Sequence, residues 1–258
     1  MKILAIGDVV GSNGCEFLRK KLPELKKLYE IDLVIANGEN SADGNGITPF
    51  SANYLFNSGV DVITTGNHAF RRREIFPKFD EDQHLIRPAN FPSNNTPGSG
   101  ICTIDMLKNK VIIINLMGPI FMESIDCTFK AIYNILEKVD KDAIIVVDFH
   151  AEATSEKRAL GYYLDGKVSA FFGTHTHVPT ADEIIFPKGT GYITDVGMTG
   201  VINSALGVKF ELVIKKLKTK MPVRFENASG ECKMDCIIFD IDEKNKKTQR
   251  IKRLTING

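Results

Sequence analysis

The chain has 258 residues, of which 43% are apolar and 25% are charged, and its formal net charge is +1. This composition is typical of a globular protein, and the near-neutral charge excludes a broad electrostatic attraction to nucleic acid or to an anionic membrane. No segment resembles a linker, so we expect a single domain over residues 1–258, with no stable nucleic-acid complex and no membrane association.

The beginning of the chain and its cysteines indicate where the protein works. The first apolar run, residues 3–6, is interrupted by Asp8, so it is too short for a signal peptide or a membrane span. The five cysteines are odd in number and scattered, which argues against a disulfide framework. We interpret Cys232 and Cys236, on one face of an alternating stretch, as core residues. These features predict a cytoplasmic protein.

Five apolar, β-branched runs each end in residues that can bind a cation. The runs cover residues 2–6, 32–36, 61–65, 143–147 and 169–174, and the candidate ligands that follow them are Asp8, Glu39, Asn40, Asn67, His150, His175 and His177. In open α/β sheets, sites form beyond the carboxyl ends of the strands. We therefore expect these side chains to converge, although they lie far apart in the sequence.

The pair His175 and His177 is two residues apart at the end of the fifth run. In an extended chain, side chains at this spacing point the same way, so both could reach one metal ion. Two solvated histidines in a loop are the alternative for this pair taken alone. The other strand ends favour the metal site.

The segments between these runs predict helices and further strands around the sheet. Predicted helices cover residues 15–29, 48–56, 71–79, 128–139 and 153–164, and predicted strands cover 101–107, 110–116, 183–186, 189–194, 233–241 and 249–256. Thr48 is the expected N-cap of the second helix, and Thr154 and Ser155 are the expected caps of the last. The glycine-rich residues 195–200 are predicted as a loop near the site. The last two strands should belong to a second sheet, so the pattern favours an α/β fold with a β-sandwich and outer helices.

Arg71, Arg72 and Arg73 follow the third run on a predicted helix. A solvated helix face is one interpretation. A phosphate clamp is the other, because guanidinium groups match the geometry of phosphate oxygens.

The candidate ligands are too many for one metal ion. Their carboxylate, amide and imidazole donors suit iron, manganese or zinc, and the lack of cysteine among them argues against a structural zinc site. Two ions about 3.5–4 Å apart, bridged by a carboxylate, are used for displacement at phosphorus. His68, next to Asn67, is the candidate general acid for the leaving oxygen, since histidine as a residue type titrates near neutral pH.

Several motifs resemble those of a known family. Gly66-Asn67-His68 and residues 173–177 resemble the signatures of calcineurin-like metallophosphoesterases, whose fold is a pair of packed mixed sheets flanked by helices. In the broad superfamily a histidine stands where this chain has Val10, and an aspartate stands where it has Glu39-Asn40. With residues 7–11, 37–40, 148–157 and 195–200, these departures resemble the YmdB-type bacterial phosphodiesterases.

The resemblance implies a four-layer α-β-β-α sandwich and a centre of two divalent or mixed-valence metal ions, with iron favoured and manganese or zinc as alternatives. Glu39 would bridge the ions. The remaining ligands would be Asp8, Asn40 and His177 at one ion, and Asn67, His150 and His175 at the other. The resemblance also implies hydrolysis of small 2′,3′-cyclic nucleotides such as 2′,3′-cyclic AMP, and a role connected with RNA turnover. It assigns no function to Arg71, Arg72 or Arg73.

The predicted function is thus a metal-dependent phosphodiesterase whose partner is a small phosphodiester substrate, and a homo-oligomer is compatible with the sequence. A phosphomonoesterase or phosphoprotein phosphatase that uses the same metals is the alternative. A regulatory protein whose metals only hold the fold together is a third hypothesis. His68 beside the ligands disfavours the third, because a structural site has no use for an additional acid.

Overall fold

The computed structural model describes residues 1–92, 95–106 and 108–258. The strands are β1 Lys2–Ile6, β2 Asp8–Val9, β3 Leu33–Asn37, β4 Val62–Thr64, β5 Ile101–Met106, β6 Asn109–Met117, β7 Ile144–His150, β8 Ala170–Thr174, β9 Ile184–Ile185, β10 Gly191–Ile193, β11 Met198–Val201, β12 Cys232–Ile241 and β13 Thr248–Asn257. The helices are α1 Gly11–Tyr29, α2 Pro49–Asn57, α3 Phe76–Glu81, α4 Thr128–Leu136, α5 Thr154–Leu164 and α6 Phe210–Thr219. The last residue of the predicted strand 101–107 lies outside the described residues.

The first sheet is built around β1. Its strand order is β2, β11, β12, β1, β3, β4, and β13 also pairs with β12. β1 is parallel to β3 and antiparallel to β12, so Ile3 lies between Leu33 and Phe239. The carboxyl ends of β1, β3 and β4 therefore open at the same edge of the sheet.

The second sheet has the order β5, β6, β7, β8, β10, β9. The four inner strands are parallel, and β5 and β9 are antiparallel strands at the two edges. β5 pairs antiparallel with β6, the next strand along the chain. β7 and β8 end at the edge from which the histidines of the predicted site follow.

The two sheets pack face to face, and the alternate side chains along their strands lie in separate buried clusters. Ile3 and Ala5 of β1 face the second sheet, where they pack with residues such as Phe172. Leu4 of β1 faces outward and packs with Leu22 of α1. The second sheet is covered on its outer face by α4 and α5. The predicted four-layer α-β-β-α sandwich is confirmed.

Two predictions about the later strands are wrong. β12 and β13 belong to the first sheet, because β12 pairs along β1. The predicted loop 195–200 is partly the buried strand β11, which pairs with Asp8 and Val9 on one side and with β12 on the other. Cys232 and Cys236 lie buried in one core cluster, as predicted.

The helix boundaries follow the sequence signals in some places only. Thr48 caps α2 in a capping box with Ser51, as predicted for the N-cap. The N-cap of α5 is Ala153, so the prediction of Thr154 and Ser155 as caps is wrong, and both lie in the first turn. None of the helices in the described part of the chain is both long and apolar enough to cross a membrane.

Candidate metal centre

The structure brings all the predicted site residues to one edge of the sandwich. Asp8 begins β2 directly after β1, Glu39 and Asn40 follow β3, and His150 ends β7. The other three candidate ligands follow β4 and β8. Because the parallel strands of both sheets end here, side chains from distant parts of the sequence approach within a few ångströms.

One group of these side chains surrounds a nitrogen of His150. Its Nε2 lies 3.0 Å from Asn67 Oδ1, 3.0 Å from His175 Nδ1 and 3.2 Å from Glu39 Oε1. A single ring nitrogen cannot satisfy three such neighbours with one hydrogen atom. The convergence of these atoms is that of ligands around a cation, and donor atoms of Glu39, His150 and His175 all lie within 4.8 Å of one another.

A second group surrounds His177. Its Nε2 lies 3.5 Å from Asp8 Oδ1 and 3.4 Å from Asn40 Nδ2. Asn40 Nδ2 is also 3.2 Å from Glu39 Oε1. Glu39 therefore belongs to both groups, because its Oε1 lies near His150 of the first and near Asn40 of the second.

The second nitrogen of each of these two histidines is held by the surrounding chain. His177 Nδ1 lies 3.0 Å from the carbonyl oxygen of Leu206. His150 Nδ1 lies 3.0 Å from Thr174 Oγ1, which donates to Asp148 Oδ1 at 2.7 Å. Such outer contacts fix the tautomer and the orientation of metal-binding histidines. They direct both Nε2 atoms into the cluster.

The carboxylates and histidines of the cluster shift one another's pKa values. Burial would raise the pKa of Asp8 and that of Glu39, but His177 lowers the pKa of Asp8, and His150 lowers the pKa of Glu39 well below its usual range. Burial would lower the pKa of His150, but Glu39 and Asp8 raise it to about 9. Burial and the charge of His150 lower the pKa of His175 to about 4. The buried carboxylates thus attract positive charge to this edge.

The residues fit a metal ion. Asp8 Oδ1 is buried and has no hydrogen-bond partner among the described residues, although His177 Nε2 is 3.5 Å away. A buried carboxylate oxygen without a donor is costly, and a cation would satisfy it. The donors around it are imidazole nitrogens and carboxylate and amide oxygens, the set expected for iron, manganese or zinc.

The prediction that His175 and His177 point the same way from an extended chain is wrong. β8 ends at Thr174, and the φ angles of the two histidines are +102° and +63°, in the left-handed region. The turn directs His175 toward His150 and His177 toward Asp8. Both histidines reach the cluster, but each joins a different group.

A buried ion pair supports this turn from below. Lys157 is fully buried, and its Nζ donates to the carbonyl oxygen of Thr174 at 2.8 Å and to Asp195 Oδ2 at 2.7 Å. Asp195 Oδ2 also accepts from the backbone N–H of Thr176 at 3.2 Å. The sequence does contain a signal for Lys157, since it stands on the apolar stripe of α5 with Leu160.

The same ion pair reaches the strand that carries Asp8. Asp195 Oδ1 accepts from the N–H of Gly197 at 2.9 Å, and the Gly197 carbonyl accepts from the N–H of Asp8 at 3.1 Å. The backbone N–H of His175 in turn donates to Asp8 Oδ2 at 3.0 Å. The Lys157–Asp195 pair therefore links the histidine turn to Asp8.

The arginine cluster has a role that neither sequence interpretation contained. Arg71 and Arg72 precede a short 3₁₀ turn, Arg73–Ile75, so the helix predicted from residue 71 is wrong at its start. Arg72 Nε donates to the carbonyl oxygen of Asn45 at 3.0 Å, and its Nη2 donates to that of Asp43 at 2.7 Å. Arg72 holds this loop in place, whereas Arg71 and Arg73 are exposed.

His68 stands at the opening of the cluster. Its backbone N–H donates to Glu39 Oε2 at 2.8 Å, and its Nδ1 lies 2.9 Å from Asn40 Oδ1. Its Nε2 has no hydrogen-bond partner within the described ranges. His68, His175 and His177 line a cavity of about 190 Å³. This placement gives His68 access to a bound molecule while its other nitrogen stays fixed.

A model of the family described as YmdB-like protein matches residues 4–254. The chain belongs to the YmdB-like family. The 2′,3′-cyclic-nucleotide 2′-phosphodiesterase of Bacillus subtilis (strain 168) is 48% identical over 258 residues, with 100% of this chain and 97% of the relative covered.

Two solved structures of similar proteins extend over the whole chain. A hypothetical protein from Thermus thermophilus has a TM-score of 0.94 at 38% identity, with 100% of this chain and 99% of that chain covered. A novel phosphatase from Mycoplasma pneumoniae has a TM-score of 0.94 at 35% identity, with 100% and 93% covered. The predicted YmdB-type branch and its hydrolase class are confirmed, and the YmdB-like chain has a candidate metal site where the motifs placed it.

Proposed function

We propose that this YmdB-like chain is a dinuclear metal-dependent phosphodiesterase that hydrolyses small 2′,3′-cyclic nucleotides. The observation that carries the proposal is the pair of ligand groups that share Glu39. One carboxylate between two sets of nitrogen and oxygen donors is the arrangement that two-metal phosphoesterases use. The name of the B. subtilis relative supports the cyclic-nucleotide substrate.

We assign each of the two groups of side chains to one metal ion. Glu39 would bridge two ions; Asp8, Asn40 and His177 would hold one, and Asn67, His150 and His175 the other. When bound, the ions supply Lewis acidity that activates water and neutralises charge on the phosphoryl oxygens. We propose iron, the metal that the resemblance of the motifs implies, with manganese or zinc as alternatives.

The side-chain amide of Asn40 contacts both the ligand cluster and His68. As placed, Nδ2 faces Glu39 and His177, and Oδ1 faces His68 Nδ1. The amide oxygen has two lone pairs, so it can accept a hydrogen bond from the Nδ1–H of His68 and also bind a cation. With Nδ1–H held by Asn40, a second proton on Nε2 makes His68 the imidazolium ion that a general acid requires.

His68 would then act as the general acid. Hydrolysis of a cyclic phosphodiester breaks one P–O bond of the ring, and the departing ribose oxygen needs a proton. The Nε2–H of the imidazolium can donate it from the cavity wall and leave a neutral ring with its hydrogen on Nδ1, because Nε2 has no other partner among the described residues. The B. subtilis relative is named a 2′-phosphodiesterase, so we propose cleavage of the bond to the 2′ oxygen.

A substrate panel tests the function. We expect the metal-loaded protein to hydrolyse 2′,3′-cyclic AMP far faster than phosphoserine peptides or a phosphomonoester, with release of 3′-AMP. Comparable turnover of phosphoserine peptides would support the phosphatase alternative and contradict the proposal. Absence of hydrolysis with any substrate, despite bound metal, would support the regulatory alternative.

Metal analysis of protein purified without added metal tests the centre itself. We expect two metal ions per chain, with iron predominant. A single ion per chain would contradict the shared carboxylate.

The domain organisation and the cellular location of the protein can also be proposed. We propose one domain over residues 1–258, because β1 and β12, from opposite ends of the chain, pair directly. We propose the cytoplasm as the location, because all five cysteines are free thiols, the state that a reducing compartment maintains. A role in RNA turnover would follow from 2′,3′-cyclic nucleotides as substrates.

A further inference from the structure

One wall of the cavity beside the ligand cluster is apolar. The apolar residues that line it are Val10, Leu206, Val208 and Phe225. A phosphodiester group and two metal ions need no apolar surface. The wall is therefore available to another part of the substrate.

Phe225 is the aromatic residue of this wall, and its environment differs from that of a core aromatic. It is 38% exposed and belongs to none of the three buried clusters in the described part of the chain. Lys216 Nζ lies 4.8 Å from the centroid of its ring, and Lys216 does not line the cavity. Lys216 thus contacts the ring without lining the cavity, whereas Phe225 itself lines the cavity and is accessible to a ligand there.

The segment that carries Phe225 is tied to the ligand cluster. The N–H of Lys209 donates to the carbonyl oxygen of Glu226 at 3.0 Å, and the N–H of Ala228 donates to that of Gly207 at 2.8 Å. The neighbouring Leu206 carbonyl is the partner of His177 Nδ1. These contacts fix Phe225 at a defined place relative to His177.

We propose that Phe225 determines substrate specificity by stacking on the nucleobase of the bound nucleotide. This inference rests on the proposed function. Any base offers a flat π-face, so stacking on an aromatic side chain binds nucleotides without strict base selection. The apolar wall would then select nucleoside phosphodiesters over cyclic phosphodiesters that lack a base.

The test compares substrates with and without a base on the metal-loaded protein. The substrates are 2′,3′-cyclic AMP and the 2′,3′-cyclic phosphate of methyl riboside. For Phe225→Ala we expect KM for 2′,3′-cyclic AMP to rise about 10-fold, the typical effect of removing a stacking residue. We expect kcat for both substrates, and KM for the methyl riboside compound, to stay within about 2-fold because the ligand cluster is intact.

Two further variants separate stacking from folding. Phe225→Tyr keeps the π-face and should retain the wild-type KM, whereas Phe225→Leu keeps an apolar side chain without the π-face and should behave like Phe225→Ala. Phe50→Ala is the matched control, because Phe50 is 79% exposed and does not line the cavity. Equal changes in KM for both substrates, or no change for either, would overturn the inference.

A binding measurement distinguishes failure of this inference from failure of the proposed function. Calorimetry would compare 3′-AMP with ribose 3-phosphate on the wild type and on Phe225→Ala. If the wild type hydrolyses neither cyclic substrate, the proposed function fails. A preference for 3′-AMP that Phe225→Ala abolishes would still support stacking, and equal affinity of the wild type for both ligands would overturn it.

Discussion

The ligand cluster and the α6 side of the cavity are built in opposite ways. Asp8, Glu39 and His150 are at most 1% exposed, and each follows or ends a strand of the packed sheets. In contrast, α6 has no buried residue, and its apolar side chains Phe210 and Ile214 are about half exposed. In the proposed function, the core holds the metal ligands, whereas the lightly packed surface segment beside α6 holds the residue that selects the substrate. Changes in the first region should alter metal content and turnover, and changes in the second should alter KM.

The largest effect should come from Glu39→Gln. Glutamine has a similar shape but lacks the negative charge that would offset two cations, so we expect metal content to fall well below two per chain. Activity should fall to that of the metal-free protein. Elemental analysis of the folded variant measures this, with the exposed Glu74→Gln as the matched control. Two ions per chain in folded Glu39→Gln would refute the bridging role.

A smaller but still large effect is expected at His68. His68→Ala should keep both metal ions, because Asn67 and the other ligands are untouched. Turnover of 2′,3′-cyclic AMP should drop by about 10²–10⁴-fold, the usual contribution of a positioned general acid. The loss should be smaller for bis-p-nitrophenyl phosphate, whose leaving group hardly needs a proton. Equal proportional losses on both substrates would exclude the acid role.

The ion pair beneath the histidine turn should show an intermediate effect. Lys157→Met removes the donor to Thr174 and leaves Asp195 buried without its cation. We expect metal affinity to fall about 10–100-fold, as for other supporting contacts of metal ligands, and the free energy of unfolding to fall by about 3–5 kcal/mol. Metal titration and denaturant unfolding measure the two effects.

A double variant sharpens this prediction. Lys157→Met with Asp195→Asn removes both charges, so part of the lost stability should return. Metal affinity should remain low, because the backbone contacts that orient the turn are still changed. Wild-type metal affinity in the Lys157→Met protein would show that the pair does not position the ligands.

The smallest effect is expected at Arg72. Arg72→Ala removes two hydrogen bonds to the loop of Asp43 and Asn45, and Asn45 lines the cavity. KM for 2′,3′-cyclic AMP should rise about 2–10-fold, with kcat and metal content unchanged. The exposed Arg71→Ala is the matched control. A loss of kcat without a change in KM would contradict the role of Arg72 in holding the loop.

The sequence predicted the site best where an apolar strand pattern is directly followed by candidate ligands. The apolar runs end at positions set by β-branched residues, so the polar residues that follow them were predictable as neighbours in space. The φ angles of His175 and His177 were not predictable, because nothing in a Thr-His-Thr-His segment requires the left-handed region. Contacts from Asp195 and Asp8 hold that turn, and these come from distant parts of the chain.

The sequence pattern also did not predict which strands pair with each other. Alternation in β12 predicts a strand, but the choice of β1 as its partner depends on packing between layers. The α6 helix was missed although Phe210, Ile214 and Leu217 have helical spacing. The role of Arg72 depends on a loop 27 residues earlier in the chain, which no local pattern reveals.

The position of β1 has a consequence for the synthesis of the protein. The N–H of Gly7 donates to the carbonyl oxygen of Asp235, and the N–H of Asp8 donates to that of Gly197. A nascent chain on the ribosome emerges from its amino end, so Asp8 is exposed long before these partners have been translated. A ribosome-bound intermediate without β12 carries all seven candidate ligands but lacks the strand that lies between β1 and β11 in the first sheet. Metal loading should therefore follow translation of β12.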